Sequence, residues 1–381
     1  MEVTPEVSQR RADVSDSQAL RDSFALAGKS GDEVPRYFYS YLFLIAPEVR
    51  SMFPVSMGTQ RDRLVAALGR IVAEADDPDR LVPYLQQLGR DHRRFQVVVQ
   101  HYEAVGQALL ATLAYFLGEA WTPELQRGWT EAYALVARTM IQAAESDSVT
   151  NPAWWNAEVV RHEQRGFDIA VLTLRLDQPM TYVAGQSVML EAPMLPSTWR
   201  SFTPANAARA DRTVELHVRA IDGGLVSPAL VYGLRQGDTV RLGAPVGNRL
   251  TLRSSGGRDL VLIAGGTGLA PLRGLIEEIA WHGPQRRVDL FVGARDTHAL
   301  YDMPVLRQLA QAHPWLRITP LVGADAGTFD NRSLAGPVLR AADWSGRSFY
   351  VCGSPAMVSA TVRDLARAGI PDDLLHFEDA R

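Results

Sequence analysis

Two short segments carry the residues whose chemistry is easiest to name. Arg200-Ser201-Phe202-Thr203 sets a guanidinium, an aromatic ring and hydroxyls side by side, and about sixty residues later Leu260-Val-Leu-Ile-Ala-Gly-Gly-Thr-Gly-Leu-Ala-Pro271 runs an apolar stretch into a glycine-rich turn. A guanidinium offers a phosphate a fork of fixed donors, and a glycine turn before a helix lets backbone N–H groups approach a pyrophosphate. A hydroxyl beside an aromatic suits the edge of a flavin ring. Together the segments suit a flavin fed by a nicotinamide, which makes the C-terminal half an electron source. The whole chain has one cysteine, Cys352, so a four-cysteine iron–sulfur cluster is excluded as a fused acceptor. The acceptor must be held by the first 150 or so residues.

The glycine turn Gly265-Gly266-Thr267-Gly268, with Pro271 near the start of the following helix, is weak evidence alone, since a tight strand-to-helix connection needs no ligand. A second small-residue run, Tyr350-Val-Cys352-Gly353-Ser-Pro-Ala-Met357, again ends a strand where open α/β sheets bind ligands. Arg295, after the strand around Leu290 to Gly293, suits an adenosine ribose or its 2′-phosphate, or else is an ordinary solvated arginine.

The elements that must position these groups fall into three runs. From about Ser15 to Glu145 apolar residues recur at helical spacing: Leu64, Leu68 and Ile71; Val105, Leu109, Thr112 and Phe116; Trp129, Tyr133, Val136 and Met140. Around Pro35 to Ile45 the pattern is denser, with Phe38, Tyr41, Leu42 and Ile45 on one face and Tyr39 and Phe43 on another, which predicts a helix buried on two sides. After Ser146-Asp-Ser-Val-Thr-Asn-Pro152 the chain changes to β-branched alternation broken by Gly and Pro, predicting six or so strands in a small antiparallel barrel. From Asp259 strands and helices alternate, as in a Rossmann-type α/β sheet. The expected fold is therefore multidomain: an all-α domain over 15–147, an antiparallel β-barrel over 153–254 and an α/β domain over 257–381.

With 381 residues, a formal net charge of −4, a single cysteine and no apolar run long enough to span a bilayer, the composition points to a soluble protein of the reducing cytoplasm. It disfavours nucleic acid and stable membrane insertion, and a monomer is the simplest expectation. Met1 to Val14, polar and without periodicity, reads as a frayed tail.

The order Arg200-x-Phe-Thr203, Gly224-x-Val226-Ser227, Gly265-Gly-Thr-Gly-x-Ala-Pro271 and Cys352-Gly-x-Pro-x-Met357 resembles the ferredoxin–NADP reductase superfamily. The resemblance implies that Arg200 grips an FAD phosphate, Thr203 touches the flavin N5 side, Phe202 flanks the ring, and Gly224, Val226 and Ser227 cradle the pyrophosphate. It implies nicotinamide binding at Gly265, Gly266, Thr267, Gly268, Pro271, Cys352 and Gly353. Tyr182-Val-Ala-Gly-Gln186 matches the barrel's usual turn, whereas Ser187 and Ala380 stand where members often stack aromatics on the flavin.

The helical half has two histidines, His92 and His101, nine residues apart, which on one helix is about 180° of rotation. Both cannot serve one pocket from one helix. His92-Arg-Arg-Phe-Gln-Val, Tyr102 onward, Phe38-Tyr39, Leu42-Phe43, Pro47, Phe53 and Gln60-Arg-Asp-Arg-Leu64 resemble a globin of the bacterial flavohaemoglobin type, and that resemblance covers the whole chain. It implies His92 as the proximal ligand of haem b, Phe53 as the ring that wedges the porphyrin, Tyr102 as a partner of the imidazole, and Tyr39, Gln60 and Leu64 over the iron. His101 is read as a solvated helix residue. Tyrosine and amide donors over the iron imply tight oxygen binding and slow release, which suits consumption of oxygen. The family's proximal glutamate falls at Ala144, with Glu145 one residue late and turned by about 100°.

The resemblance implies haem, FAD and NAD(P)H as cofactors, O2 and NO as small-molecule partners, and an NAD(P)H-dependent nitric oxide dioxygenase forming nitrate. The alternative is a reductase of a quinone, ferric chelate or protein whose globin is vestigial or senses oxygen.

Overall fold

The computed structural model describes residues 5–283, 286–323 and 333–378. The chain divides into two compact units, Met1–Trp154 with Pro196–Thr198, and Trp155–Leu195 with Trp199–Arg381. Among the described residues no helix is long and apolar enough to cross a membrane.

The first unit is helical: α1 (Pro5–Gly28), α2 (Glu33–Ile45), α3 (Gly58–Ala73), α4 (Pro78–His92), α5 (Val99–Leu117) and α6 (Pro123–Ser148). Two starts are written in the sequence. Asp77 Oδ1 accepts from Arg80 N at 3.2 Å ahead of Pro78, and Thr122 Oγ1 accepts from Leu125 N at 3.2 Å ahead of Pro123. A capping oxygen followed by proline satisfies one orphan N–H and removes another. Over residues 5–14 the expected tail is instead the first part of α1. Proline at the first position and helix-forming Glu, Gln and Arg extend a helix already nucleated downstream, because propagation is easier than nucleation. Residues 1–4 lie outside the described residues.

Phe38, Tyr39 and Leu42 of α2 are buried against Ala108, Leu109 and Leu113 of α5, with Val72 and Trp129 completing the core. Ile45, expected inside, is 37% exposed at the last residue of α2. Two glycines fix how helices cross. A Cβ on Gly89 of α4 would lie 2.2 Å from Met140 O of α6, and one on Gly106 of α5 would lie 2.6 Å from the Tyr133 ring. At both points only hydrogen fits.

The second unit contains two sheets. β1 (Trp155–Gln164), β2 (Ile169–Leu176), β3 (Val188–Glu191), β4 (Arg200–Phe202), β5 (Thr213–Arg219), the short α7 (Val226–Pro228) and β6 (Thr239–Leu242) form an antiparallel sheet in the order β4-β3-β6-β1-β2-β5. Alternate residues such as Ala157, Val159, Leu172, Leu174, Val214 and Leu216 fill its interior. β4 and β5 are the two edges, yet Ala205 N, just after β4, donates to Glu215 O at 2.7 Å, and Glu215 N donates to Asn206 Oδ1 at 2.7 Å. The expected barrel is thus a curled sheet closed by a short irregular seam.

The parallel sheet comprises β7 (Leu260–Gly265), α8 (Leu269–His282), β8 (Val288–Ala294), α9 (Met303–Ala312), β9 (Leu316–Val322), α10 (Ala335–Ala341), β10 (Ser348–Cys352), α11 (Pro355–Arg367) and β11 (Leu375–Phe377), in the order β11-β10-β7-β8-β9. The short β11 escaped sequence reasoning. The strand order reverses at β7, so the glycine turn at its C-terminal end sits at the topological switch point, where such sheets take ligands.

Candidate functional site

In the helical unit α2 and α3 bring two polar side chains together. Gln60 Nε2 donates to Tyr39 Oη at 3.1 Å, and Tyr39 Oη donates to Gln60 O at 3.5 Å. Burial raises the Tyr39 hydroxyl to about 12, with the Gln60 bond pulling the other way, so the phenol stays protonated and remains a donor. Phe53 meets Tyr39 and Phe43 edge-on, each at 5.4 Å between ring centroids. Leu64, Phe43 and Phe53 pack only partly into the core.

His92 ends α4. Its Nδ1 lies 2.7 Å from Leu88 O, which assigns the proton to Nδ1 and leaves Nε2 as the lone-pair nitrogen. Burial pushes this imidazole below its ordinary value, so it is neutral and suited to ligation. The carbonyl of Leu88 is therefore the orienting partner of His92. Tyr102 instead packs with Leu85, Leu88 and Met140, and its carbonyl accepts from Tyr133 Oη at 2.5 Å. Glu145 is exposed and does not join the proximal side. His101 is more than a solvated residue, because its Nδ1 accepts from Val98 N at 3.3 Å and caps α5. Among the described residues no group of three or more His, Cys, Asp or Glu is placed to hold a bare metal ion. A single neutral imidazole fits iron whose other donors come from a porphyrin, and apolar rings beside a protonated phenol fit the rest of a haem.

On the barrel, β4 presents Arg200, exposed, with Nη1 donating to Trp199 O at 3.3 Å. Phe202 leans on the barrel core and Thr203 is half-buried beside it. Ser227 Oγ accepts from Ile221 N at 3.2 Å, drawing Ile221–Ser227 into a closed loop, and a Cβ on Gly224 would lie 3.0 Å from Ile221 O. Val226 is buried and anchors the short α7. An exposed guanidinium, a half-buried hydroxyl and a backbone loop held by serine fit a flavin dinucleotide. Ser187, by contrast, is buried and bridges Val246 through paired backbone bonds of 2.9 and 2.8 Å. Ala380 lies outside the described residues.

The two glycine-bearing segments of the parallel sheet meet. A Cβ on Gly268 would lie 2.3 Å from Cys352 O, and one on Gly353 would lie 3.1 Å from Gly265 O. Gly266 holds φ +56, a left-handed conformation that favours glycine. Thr267 is half-buried in the same turn, Pro271 is buried in the first turn of α8, and Arg295 is exposed after β8. A tight recess beside the turn, without room for a water molecule, is lined by Gly266, Val292, Gly293, Leu300 and Tyr301. A cleft of about 470 Å³ around Leu176, Tyr182, Arg209 and Val214 contains none of the predicted site residues.

Sequence reasoning missed two features. Arg219, the last residue of β5, brings Nη1 to 3.1 Å from where a Gly266 Cβ would stand, and it pairs with Asp168 at 3.2 Å. Beneath it, Arg273 of α8 contacts Glu215 at 2.6 Å and Asp302 at 2.9 Å, while Arg165 approaches the other Asp302 oxygen at 3.5 Å. His217 Nδ1 lies 2.7 Å from Tyr301 Oη, and its Nε2 lies 3.1 Å from Glu215 Oε1. Nε2 also faces Arg273 Nη1 at 3.2 Å, so a carboxylate that only accepts and a guanidinium that only donates compete for the same ring nitrogen. Burial pushes His217 down; burial pushes Glu215 up, but the His217 bond and Arg273 reverse this and bring it to about 2. Nothing in the sequence periodicity joins residues so far apart.

Comparison with known proteins agrees with this division. Residues 36–140 match the globin family, residues 156–250 the oxidoreductase FAD-binding domain and residues 262–363 the oxidoreductase NAD-binding domain. The chain is 22% identical over 387 residues to a flavohemoprotein of Bacillus subtilis, covering 95% of each. It is 32% identical over 257 residues to the reductase subunit of an aromatic O-demethylase of Amycolatopsis, covering 65% of this chain and 76% of the relative. It is 34% identical over 200 residues to the reductase component of phenol 2-monooxygenase of a Pseudomonas strain, covering 51% of this chain and only 56% of that protein. In fold it matches a flavohemoglobin of Malassezia yamatoensis with TM-score 0.75 at 18% identity, covering 96% of this chain and 98% of that one.

Fold and sites define an oxidoreductase in which a globin precedes FAD- and NAD-binding domains, with haem, FAD and nicotinamide dinucleotide as its cofactors. Over nearly its whole length, in domain order and in fold, the chain resembles the flavohaemoglobins.

Proposed function

We propose that this chain is an NAD(P)H-dependent nitric oxide dioxygenase that turns NO and O2 into nitrate as a soluble monomer of the cytoplasm. When bound, the nicotinamide, flavin and haem supply hydride delivery, one-electron transfer and oxygen activation. His92, its ring fixed by Leu88 O, would hold the iron through Nε2, and Phe53 and Leu64 would line the porphyrin. Tyr102 packs behind the proximal helix. Gln60 Nε2 would keep Tyr39 Oη in place, and the buried phenol, whose bond to Gln60 O is 3.5 Å long, would turn its proton to an oxygen of the substrate, where a preorganised donor counts for most.

In the reductase half Arg200 and the Gly224–Ser227 loop, with Val226 as its anchor, take the FAD phosphates; Thr203 and Phe202 address the ring. Gly265, Gly266, Thr267 and Gly268 bring the nicotinamide phosphates to the start of α8 at Pro271, with Arg219 adding positive charge. Arg295 takes the adenosine end, and Cys352 and Gly353 form the wall beside the nicotinamide.

The observation that carries this reading is the buried, protonated Tyr39 bonded to Gln60 in a chain that also has a hydride-fed flavin module. A carrier would have no use for that module. Mixing the oxygenated protein with NO should give nitrate in step with NAD(P)H consumption; no nitrate would sink the proposal.

The exposed Glu145 favours a second reading, in which electrons leave the flavin for an acceptor such as a quinone, ferric chelate or protein. It predicts physiological reduction rates that are indifferent to loss of His92.

A further inference from the structure

The residue after the candidate iron ligand is held in a way that neither the motifs nor the family match predicts. We infer that Arg93 is a positioning residue, which ties the His92 imidazole to the segment leading from the globin into the flavin-binding domain. The inference rests on His92 being the haem ligand.

Arg93 Nη1 pairs with Asp147 Oδ2, and both side chains are only 12% exposed. Its Nη2 donates to Asn151 O at 2.7 Å, and Asn151 Nδ2 donates to Asp147 Oδ1 at 2.9 Å. One guanidinium, one carboxylate and one amide thus close a ring of bonds between the end of α4 and the end of α6. A fork of planar donors satisfied at two points restrains orientation as well as distance.

The position of this ring gives it a consequence for the iron. Asp147 lies in the last turn of α6, Asn151 lies just beyond it, and β1 begins at Trp155. One turn before His92, Gly89 lets the α4 backbone touch α6 at Met140. The imidazole is therefore bracketed, by backbone contact on one side and by the Arg93 ring on the other. With Leu88 O fixing its rotation, His92 has little freedom to tilt unless the Asp147–Asn151 segment moves. This is a mechanical substitute for a proximal carboxylate, since Glu145 points to solvent. A carboxylate would change the basicity of the imidazole; the Arg93 ring instead controls where the imidazole stands.

The test uses the full-length holoprotein. Resonance Raman spectra of the ferrous five-coordinate form should show an iron–imidazole stretch that shifts and broadens in Arg93→Met. Haem transfer to apomyoglobin should accelerate by about tenfold, at the lower end of what losing a ligand's supporting partner does. Arg93→Lys should restore part of both, and Asp147→Asn, which keeps its shape, should reproduce the shift should Arg93→Met not fold. A double variant Arg93→Met/Asp147→Asn should be no worse than either single change. If the variants lower the melting temperature but leave the stretch and the haem off-rate at wild-type values, the clamp is merely structural and the inference is overturned. Failure of the underlying reading looks different: the stretch would then persist in His92→Ala, or be missing from the wild-type protein.

Discussion

Gly268 and Cys352 meet main chain to main chain, with room for hydrogen and nothing larger: a Cβ on the glycine would stand 2.3 Å from the cysteine carbonyl oxygen. Two sequence motifs more than eighty residues apart therefore form one floor at the switch point of the sheet. Gly268→Ala must push the turn off β10, an overpacking cost of about 1–3 kcal/mol. The melting temperature should fall, and NAD(P)H-driven flavin reduction should slow far more than the fold weakens. A variant with wild-type hydride transfer would show that the floor is not needed.

Tyr39→Phe removes the hydroxyl that Gln60 holds while keeping the edge-on ring contact with Phe53. Losing a donor to a charged acceptor costs roughly 1–3 kcal/mol, so oxygen release measured by stopped flow should accelerate by about tenfold or more. An unchanged off-rate would remove Tyr39 from the distal side. Gln60→Ala should act in the same direction and more weakly, because the phenol survives.

His92→Ala should abolish the Soret band while flavin absorbance and dye reduction by NAD(P)H persist. His92 is the donor with an open Nε2, and the reductase motifs lie wholly in the other unit. Haem retained at wild-type stoichiometry, with an unaltered spectrum, would refute the assignment.

Arg273 sits between Glu215 and Asp302, deep in the second unit. Removing one partner of a buried set strands the others without a counter-charge, so Arg273→Met should destabilise that unit by about 3–5 kcal/mol. Urea unfolding followed by flavin release would measure it; a loss below about 1 kcal/mol would mean that the carboxylates are relieved by water.

Acid should weaken the same unit in two stages. His217 is held below its ordinary 6.5 by burial, so below about pH 6.5 the unfolded chain binds a proton that the folded one refuses, and stability falls. Glu215 sits at about 2 against an ordinary 4.5, so its contribution is complete above 4.5 and is lost as pH falls from there toward 2. The second stage amounts to ~3 kcal/mol. Thermal scans from pH 8 to about pH 2 should show a monotonic decline, and the Glu215→Gln variant should lose the stage below pH 4.5. A melting temperature rising on acidification would contradict both signs.

Much of this molecule could be read before folding. The apolar stripes, the glycine turn and the break near residue 150 are local signals, set by backbone sterics and period. The resemblance to a globin puts Tyr39 and Gln60 over an iron; what the sequence does not give is that the two side chains bond each other. What escaped depends on distance in sequence. Arg273 and Asp302 with the Glu215–His217 pair, Arg219 with Gly266, and Arg93 with the Asp147–Asn151 pair are each joined across distances in sequence that no periodic pattern relates. Residues 5–14 were misread because polarity looks like disorder when the packed remainder of the same helix is not considered.

Cys352 is the chain's single thiol, and it is buried at the end of β10, where desolvation drives its ionisation far above the ordinary range. A thiol that stays protonated is a poor nucleophile toward peroxides, alkylating agents and nitrosating species. Oxidants and nitrosating species therefore meet no reactive thiol on this chain, and the sulfur they can mark is the thioether of its nine methionines.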